Sequence, residues 1–365
     1  MKIGILTYHR SHNFGALFQA IASRRYLESL GHEVYYINYW PKYHRAMYSP
    51  FSFWLFWRKR PYGKYLYLKN TIMNLSSNLE RTKRYSRFIK QYIEPHYAPS
   101  GMSFDAIFYG SDQIWRRQPY INDFNPVYFA HNHFQTKKHI ALSASAGILP
   151  NNDEEKGRFK SLLDRFDSIS VREESLKDLV ESFGYKAQLT CDPALFLTAG
   201  QWDAVFPRQE YNRKSYLLFV NYIEGSFNLD EVKRLAKAKG LEYVCINGSA
   251  ISHHEEGDLS NVAPLQLFEY IRNADFVCTS SFHALVFSIL YHKEFYTSFY
   301  ENAKRAESLL KVLCLTDRLS VPNSFLSIAP EPINYTPIDD KLDSLRKITF
   351  NFIISTLKEL RDEKK

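Results

Sequence analysis

His283 is the residue of this sequence best placed to do chemistry. It follows a short apolar run, Phe276-Val277-Cys278, and three hydroxyl residues, Thr279, Ser280 and Ser281. An apolar stripe at helical spacing comes next: Phe282, Leu285, Val286, Ile289 and Leu290. The pattern predicts a buried strand, a hydroxyl N-cap and a helix whose first turn holds His283. Open α/β sheets bind ligands at the carboxyl ends of their strands. A helix N-terminus attracts anions through its free N–H groups and dipole. A titratable acid/base therefore stands beside an anion site. A multiply charged anion arriving there favours the imidazolium, the form a general acid needs. His292, at the far end of the same helix, reads as structural.

Three other constellations could carry chemistry. Ser170-Val171-Arg172-Glu173-Glu174 puts a guanidinium at a strand end, where its paired N–H donors suit phosphate or carboxylate. The competing reading ties Arg172 to Glu173 or Glu174 in a structural ion pair. Arg305 and Arg318 are later candidates for the same anion-binding work. Gly110-Ser111-Asp112-Gln113-Ile114-Trp115 places hydroxyl, carboxylate, amide and indole after a strand, a set that suits a sugar. Its plainer reading is Asp112 as a cap and Trp115 as core. In His9-Arg10-Ser11-His12-Asn13-Phe14-Gly15-Ala16, Asn13 and Gly15 could shape a turn that exposes backbone N–H groups. His9, Arg10 and His12 could then meet an anion. The loop lacks the glycines of GxGxxG, and a solvated basic turn is the alternative.

These residues need a scaffold, and strand and helix patterns alternate almost throughout. Strands are expected at residues 2–8, 34–39, 106–109, 139–143, 169–171, 189–191, 216–220, 243–246 and 276–278. Helices are expected at 16–30, within 65–92, and at 230–239, 264–273, 303–313 and 340–360. The strand ends Thr7, Gly110, Ser145, Arg172, Asp192 and Thr279 would converge if the sheets are parallel. The expected fold is α/β, with two Rossmann-like domains facing a cleft. The first spans 1–198 with a helical insertion at about 41–95, the second 199–338, and a terminal helix 339–365.

Composition narrows the setting. The chain has 365 residues, 45% apolar, and a net charge of +8. It has no apolar run of about 20 residues, so no membrane span is expected. The N-terminus starts directly on a strand pattern, without the apolar core of a signal peptide. Four widely spaced cysteines without a CxxC pair point to reduced thiols, a cytoplasmic setting and no metal site. The charge is uneven: residues 42–90 hold twelve Lys/Arg and one acidic residue, Glu80, among many aromatics. That mixture suits a membrane surface or a lipid-linked anionic acceptor. The alternative is an insertion whose aromatics face the core. No nucleic-acid motif accompanies the basic stretch, so nucleic acid is not an expected partner.

Taken in order, these motifs resemble the polysaccharide pyruvyl transferase family. The elements are Asn13-x-Gly15, the Gly110–Trp115 run, Ser170-Val171-Arg172-Glu173-Glu174, Asp192-Pro193, Asn273-Ala274-Asp275 and Thr279-Ser280-Ser281-Phe282-His283. The resemblance implies a GT-B-like architecture in which the C-terminal helix packs back on the first domain. The N-terminal domain would face the acceptor and the C-terminal domain the donor. It implies transfer of pyruvate from phosphoenolpyruvate to a sugar diol of a glycan or lipid-linked precursor, with release of phosphate. Phosphoenolpyruvate is then a co-substrate, and no cofactor or metal is needed. By resemblance Arg172 and His283 handle the donor; the chemistry of protonating its methylene carbon gives His283 the acid role, with Asp112 a candidate for base or sugar contact. Ser111, Gln113 and Trp115 join Asp112 on the sugar, and Asn13 and Gly15 join the substrate-binding set. Ser281 stands where some members carry arginine, so Arg305 or Arg318 would complete the donor site. The expected location is the cytoplasm, at the inner face of the cell membrane if the basic insertion docks there. Two competing readings are a nucleotide-sugar glycosyltransferase and a silent glycan-binding protein. Against the first, no glutamate follows Thr279 until Glu294, although many retaining GT-B enzymes place one in that region.

Overall fold

The structure is a computed structural model that describes residues 1–208, 214–248, 258–299, 304–327 and 331–362. The chain divides into two compact units, Met1–Asp167 with Asn261–Pro264, and Ser168–Ser260 with Leu265–Lys365.

The first unit contains β1 (Lys2–Leu6), α1 (Phe14–Ser29), β2 (Glu33–Tyr36), α2 (Lys42–Tyr48), α3 (Phe53–Trp57), α4 (Pro61–Met73), α5 (Leu75–Tyr92), β3 (Phe104–Tyr109), β4 (Thr136–Ala144) and α6 (Asp153–Ser161). Its strands pair in parallel in the order β2-β1-β3-β4. β3 reads Phe-Asp-Ala-Ile-Phe-Tyr and is buried over its last four residues, as a strand covered on both faces must be. After it, Gly110 adopts φ +127°, and a Cβ there would collide with the Leu142 carbonyl, so only glycine fits the turn.

The second unit begins with β5 (Ser168–Val171), α7 (Glu174–Ser182) and β6 (Gln188–Leu189), β5 and β6 pairing in parallel. Then come α8 (Ala199–Val205), β7 (Tyr216–Asn221), α9 (Leu229–Ala238), β8 (Glu242–Asn247), β9 (Leu259–Ser260), α10 (Pro264–Asn273), β10 (Phe276–Thr279), α11 (Phe282–Leu290), β11 (Glu294–Thr297), α12 (Lys304–Leu313) and α13 (Thr336–Asp362). Its five-stranded sheet is parallel throughout, ordered β11-β10-β7-β8-β9. β10 sits inside the sheet, and every residue of α11 after Phe282 is buried. Apart from His283 and Ser288 the helix is apolar, as a helix enclosed on its sides must be.

The α/β class and the two parallel-sheet bodies agree with the sequence reading. The division between units falls at residue 167/168 instead of 198. Residues 168–198 stay with the second unit because the C-terminal helix grips them. Arg346 Nε donates to the Leu195 carbonyl, the Cys191 amide donates to Thr349 Oγ1, and Phe350 packs edge-on against Phe196. α13 thus packs back on residues 191–196. It starts at Thr336, earlier than expected, and α12 starts at Lys304; residue 303 lies outside the described residues.

Candidate functional site

The second unit gathers charged side chains at the ends of β5, β6 and β10. Arg172 follows β5 directly, and its buried guanidinium donates from Nη1 to Asp192 Oδ2. Asp192 lies beyond β6 and is also buried. Its Oδ1 caps the following turn by accepting the Ala194 amide at 2.9 Å. Its Oδ2 lies 3.6 Å from His283 Nε2. Glu173, buried, sits 3.5 Å from Arg172 Nε and 4.0 Å from Arg305 Nε. Both guanidiniums lie within cation–π range of the Phe282 ring, at 5.8 and 5.2 Å from its centroid. A cavity of about 180 Å³ opens here, lined by Arg172, Asp192, Phe282 and Arg305, with Leu309 of α12 and Ile348 of α13 among its apolar walls.

Electrostatics decide what this cluster can do. Burial alone would raise the Asp192 carboxyl, but Arg172 and then His283 outweigh it and hold the pKa well below the usual range. Asp192 is therefore a carboxylate at any working pH. Two guanidiniums and two carboxylates balance, and the His283 imidazole stands 3.6 Å from the carboxylate that holds Arg172. Cys191 lines the same cavity, but burial pushes its thiol up to about 12. That excludes it as a nucleophile at neutral pH.

The three hydroxyls before His283 build the backbone. Thr279 Oγ1 accepts the Ser281 amide. Ser280 Oγ accepts the Tyr222 and Ile223 amides and ties the ends of β7 and β10 together. Ser281 is the N-cap of α11, its Oγ accepting from the Ala284 amide at 3.4 Å. The residue expected to contact substrate here is thus also the cap of α11.

Arg318 is a correction. Its buried guanidinium pairs with Glu294 at 3.2 Å and Asp317 at 3.0 Å, and donates to the Glu331 carbonyl. Those bonds fasten β11 to residue 331. Arg305 is the second guanidinium beside Arg172, linked to it through Glu173. The sequence reading gave Glu173 only as an ion-pair partner of Arg172, a pairing the structure shows at 3.5 Å, and Asp192 only as a strand end and motif residue. The available signal for Asp192 was its strand-end position, the same one Arg172 occupies.

The first unit places the other candidates on loops around β1 and β3. Asn13 caps α1, its Oδ1 accepting from the Gly15 amide at 2.9 Å and the Ala16 amide at 3.4 Å. The Gly15 N–H is therefore used by the helix's own cap, which corrects the anion-turn expectation for Asn13 and Gly15. Ser111 is fully buried and stitched in place. Its amide donates to Gln19 Oε1, its Oγ to the Ser143 carbonyl, and its carbonyl accepts from Thr7 Oγ1. Trp115 is also fully buried. It stacks on Phe129 and donates from Nε1 to the Tyr128 carbonyl. Neither offers a sugar a surface, and both expectations are corrected to structural roles.

Asp112 and Gln113 remain only partly covered. Asp112 sits at φ +66°, a left-handed position an Asp tolerates, with Oδ1 accepting the Gln113 amide. Its charge reaches Tyr8, His44 and Tyr48. These rings pack together: Tyr8 meets His44 edge-on at 4.5 Å, and His44 meets Tyr43 at 4.6 Å. The sequence reading missed His44, which α2 delivers from within the basic insertion. Among the described residues, no three or more His, Cys, Asp or Glu side chains group to hold a metal ion. No described helix is long and apolar enough to cross a membrane.

Residues 13–300 match the sequence profile of the polysaccharide pyruvyl transferase family. Comparison with curated protein sequences gives no match. Among solved structures, the chain is similar to the glycosyltransferase SnogD from Streptomyces nogalater at 10% identity, covering 96% of this chain and 95% of that one, TM-score 0.44. It is similar to a UDP-GlcNAc 2-epimerase from Neisseria meningitidis at 11% identity, over 97% and 100% of the two chains, TM-score 0.41. It is also similar to a glycosyltransferase from Rickettsia africae at 13% identity, over 100% and 98%, TM-score 0.41.

Proposed function

The chain belongs to the polysaccharide pyruvyl transferase family, and on that premise we propose that it transfers pyruvate from phosphoenolpyruvate to a sugar diol as a cyclic ketal. The observation that carries this reading is the set of buried Arg172, Asp192 and His283 with partly covered Arg305 beside one cavity in the second unit. Phosphoenolpyruvate carries a carboxylate and a phosphate, and two guanidiniums suit the pair through fork-shaped N–H donors. Asp192 orients Arg172 and His283 together, since one oxygen faces both.

In this reading His283 donates its proton to the methylene carbon of phosphoenolpyruvate. The double bond is lost, the carbon becomes a methyl group, and C2 takes on oxocarbenium character. One sugar hydroxyl attacks C2 and gives up its proton, which restores the acid. The C2–O bond to phosphate breaks, and the second hydroxyl closes the ketal. Its proton leaves with phosphate as hydrogen phosphate. Asp112 serves the acceptor, as base or as hydrogen-bond partner of a hydroxyl.

Titration calorimetry tests the donor. Heat with phosphoenolpyruvate, abolished in Arg172→Ala, is expected, with none from nucleotide sugars. Heat from a nucleotide sugar and none from phosphoenolpyruvate would make this a glycosyltransferase instead.

A further inference from the structure

Helices α3 and α4 bury none of their residues. Their composition is nonetheless that of a core: Phe53, Trp54, Leu55, Phe56 and Trp57 in α3, and Tyr62, Tyr65, Leu66, Tyr67, Leu68, Ile72 and Met73 in α4. The arrangement within α4 is inverted. Tyr62, Tyr65, Leu66, Lys69, Ile72 and Met73 share one face at helical spacing, and all six are exposed. Tyr62 is 73% exposed and Ile72 and Met73 are each 72% exposed, while Trp57 on the neighbouring helix is 68% exposed. The next helix behaves conventionally. α5 turns Tyr85, Phe88 and Ile89 into the core and its charges outward. The core-packing reading of the insertion's aromatics therefore holds for α5 and fails for α4. Single exposed apolar residues need no explanation, but a contiguous aromatic face does.

The charge on this face identifies what covers it. Residues 42–79 contain no Asp or Glu. Arg58, Lys59 and Arg60 join α3 to α4, and Lys64 and Lys69 stand on α4. Lys69 lies on the exposed α4 face itself, and Lys64, on the partly covered side of α4, sits 4.5 Å from the centroid of the exposed Trp57 ring. Tyr and Trp rings suit the headgroup layer of a bilayer, with their apolar bodies inward and polar tips in water. Lysines beside them lay their stems on the apolar surface and reach anionic headgroups. A second copy of the chain fits less well, because a symmetric contact would set these cations against themselves.

We propose that the α3–α4 face docks on an anionic lipid bilayer surface. This does not depend on the pyruvyl-transfer reading. Sedimentation of the full chain with vesicles tests it, using phosphatidylcholine alone and phosphatidylcholine mixed with phosphatidylglycerol. The wild type should pellet with the mixed vesicles at low salt and be released by added salt. Replacing the exposed anchors (Trp57→Ser, Ile72→Ser, Met73→Ser) should cut the bound fraction about tenfold or more, and so should Lys64→Glu with Lys69→Glu. All five positions are solvent-facing or on the rim, and circular dichroism checks that the variants fold. Failure of the wild type to bind mixed vesicles at low salt overturns the proposal. So does equal binding by both variants. A wild-type dimer that the anchor variant converts to monomer would assign the face to self-association, and overturns it as well.

Discussion

His9 and His283 each stand just beyond the carboxyl end of a parallel strand, β1 in the first unit and β10 in the second. Both are buried. Their surroundings differ in kind. His9 shares an ion-pair contact with no described carboxylate: its Nδ1 bonds the Thr7 carbonyl at 2.9 Å, and its ring stacks on Tyr36. Burial pushes its pKa down to about 3, and the Arg10 charge adds to that. His283 has Asp192 at 3.6 Å and two guanidiniums close by. Position on the fold brings both histidines to the ligand-binding edge, but only His283 has a carboxylate beside its ring there. His12 and His44 extend the contrast, since burial lowers each to about 4.

The comparison breaks most visibly at the imidazole itself. His283→Ala should lower kcat about 10²–10⁴-fold with little change in KM for phosphoenolpyruvate. Steady-state kinetics would show it, and an undiminished kcat would remove the acid role from His283. Next comes Asp192→Ala, which strands the Arg172 charge in the interior and should cost about 3–5 kcal/mol in urea unfolding. Asp112→Ala, in the partly open loop of the first unit, should cost less than about 1 kcal/mol. Equal costs would mean the two carboxylates are not as different as their burial implies.

Acid should separate the units. His9 has a folded pKa of about 3, below the unfolded value of about 6.5. The unfolded chain therefore takes the proton first. The stabilisation is complete above about pH 6.5 and is lost as pH falls toward about 3. Wild type should lose about 2 kcal/mol more than His9→Asn between about pH 7 and pH 5. Identical losses in the two proteins would show that His9 is not held neutral. A smaller effect is expected for Arg305→Gln, about a tenfold rise in KM for phosphoenolpyruvate from loss of one charge-assisted contact. Arg318→Gln should lower stability and leave that KM alone. Smallest of all, a chelator should leave the rate unchanged; activity lost to chelator and restored by a divalent cation would contradict metal-free transfer.

How far the site was legible depended on whether the information was local. The strand, hydroxyl cap and helix around His283 follow one another in sequence, and the structure places them as read. β3 and β7 were legible for the same reason, as continuous apolar runs. Asp192 was not, because its partner Arg172 lies twenty residues away and only tertiary packing brings them together. Nor could sequence decide between Arg305 and Arg318. The difference between them is tertiary: Glu294 and Asp317 pair with Arg318, while Arg305 stands beside Glu173. Trp115 illustrates the opposite error: an indole after a turn of polar residues resembles a sugar platform, yet Phe129 and Phe159 enclose it. The unit boundary moved because α13, far along the chain, grips residues 191–196. α4 defied periodicity because its apolar stripe is real but faces water.

The central claim is that the chain spends the phosphate of phosphoenolpyruvate to place pyruvate on a sugar diol. Phosphate release from phosphoenolpyruvate, measured with a panel of galactosides, glucosides and mannosides, tests it most directly. The account predicts acceptor-dependent release by the wild type with at least one sugar, lost in His283→Ala. No release above the acceptor-free rate with any sugar of the panel, from protein shown to be folded, would contradict it.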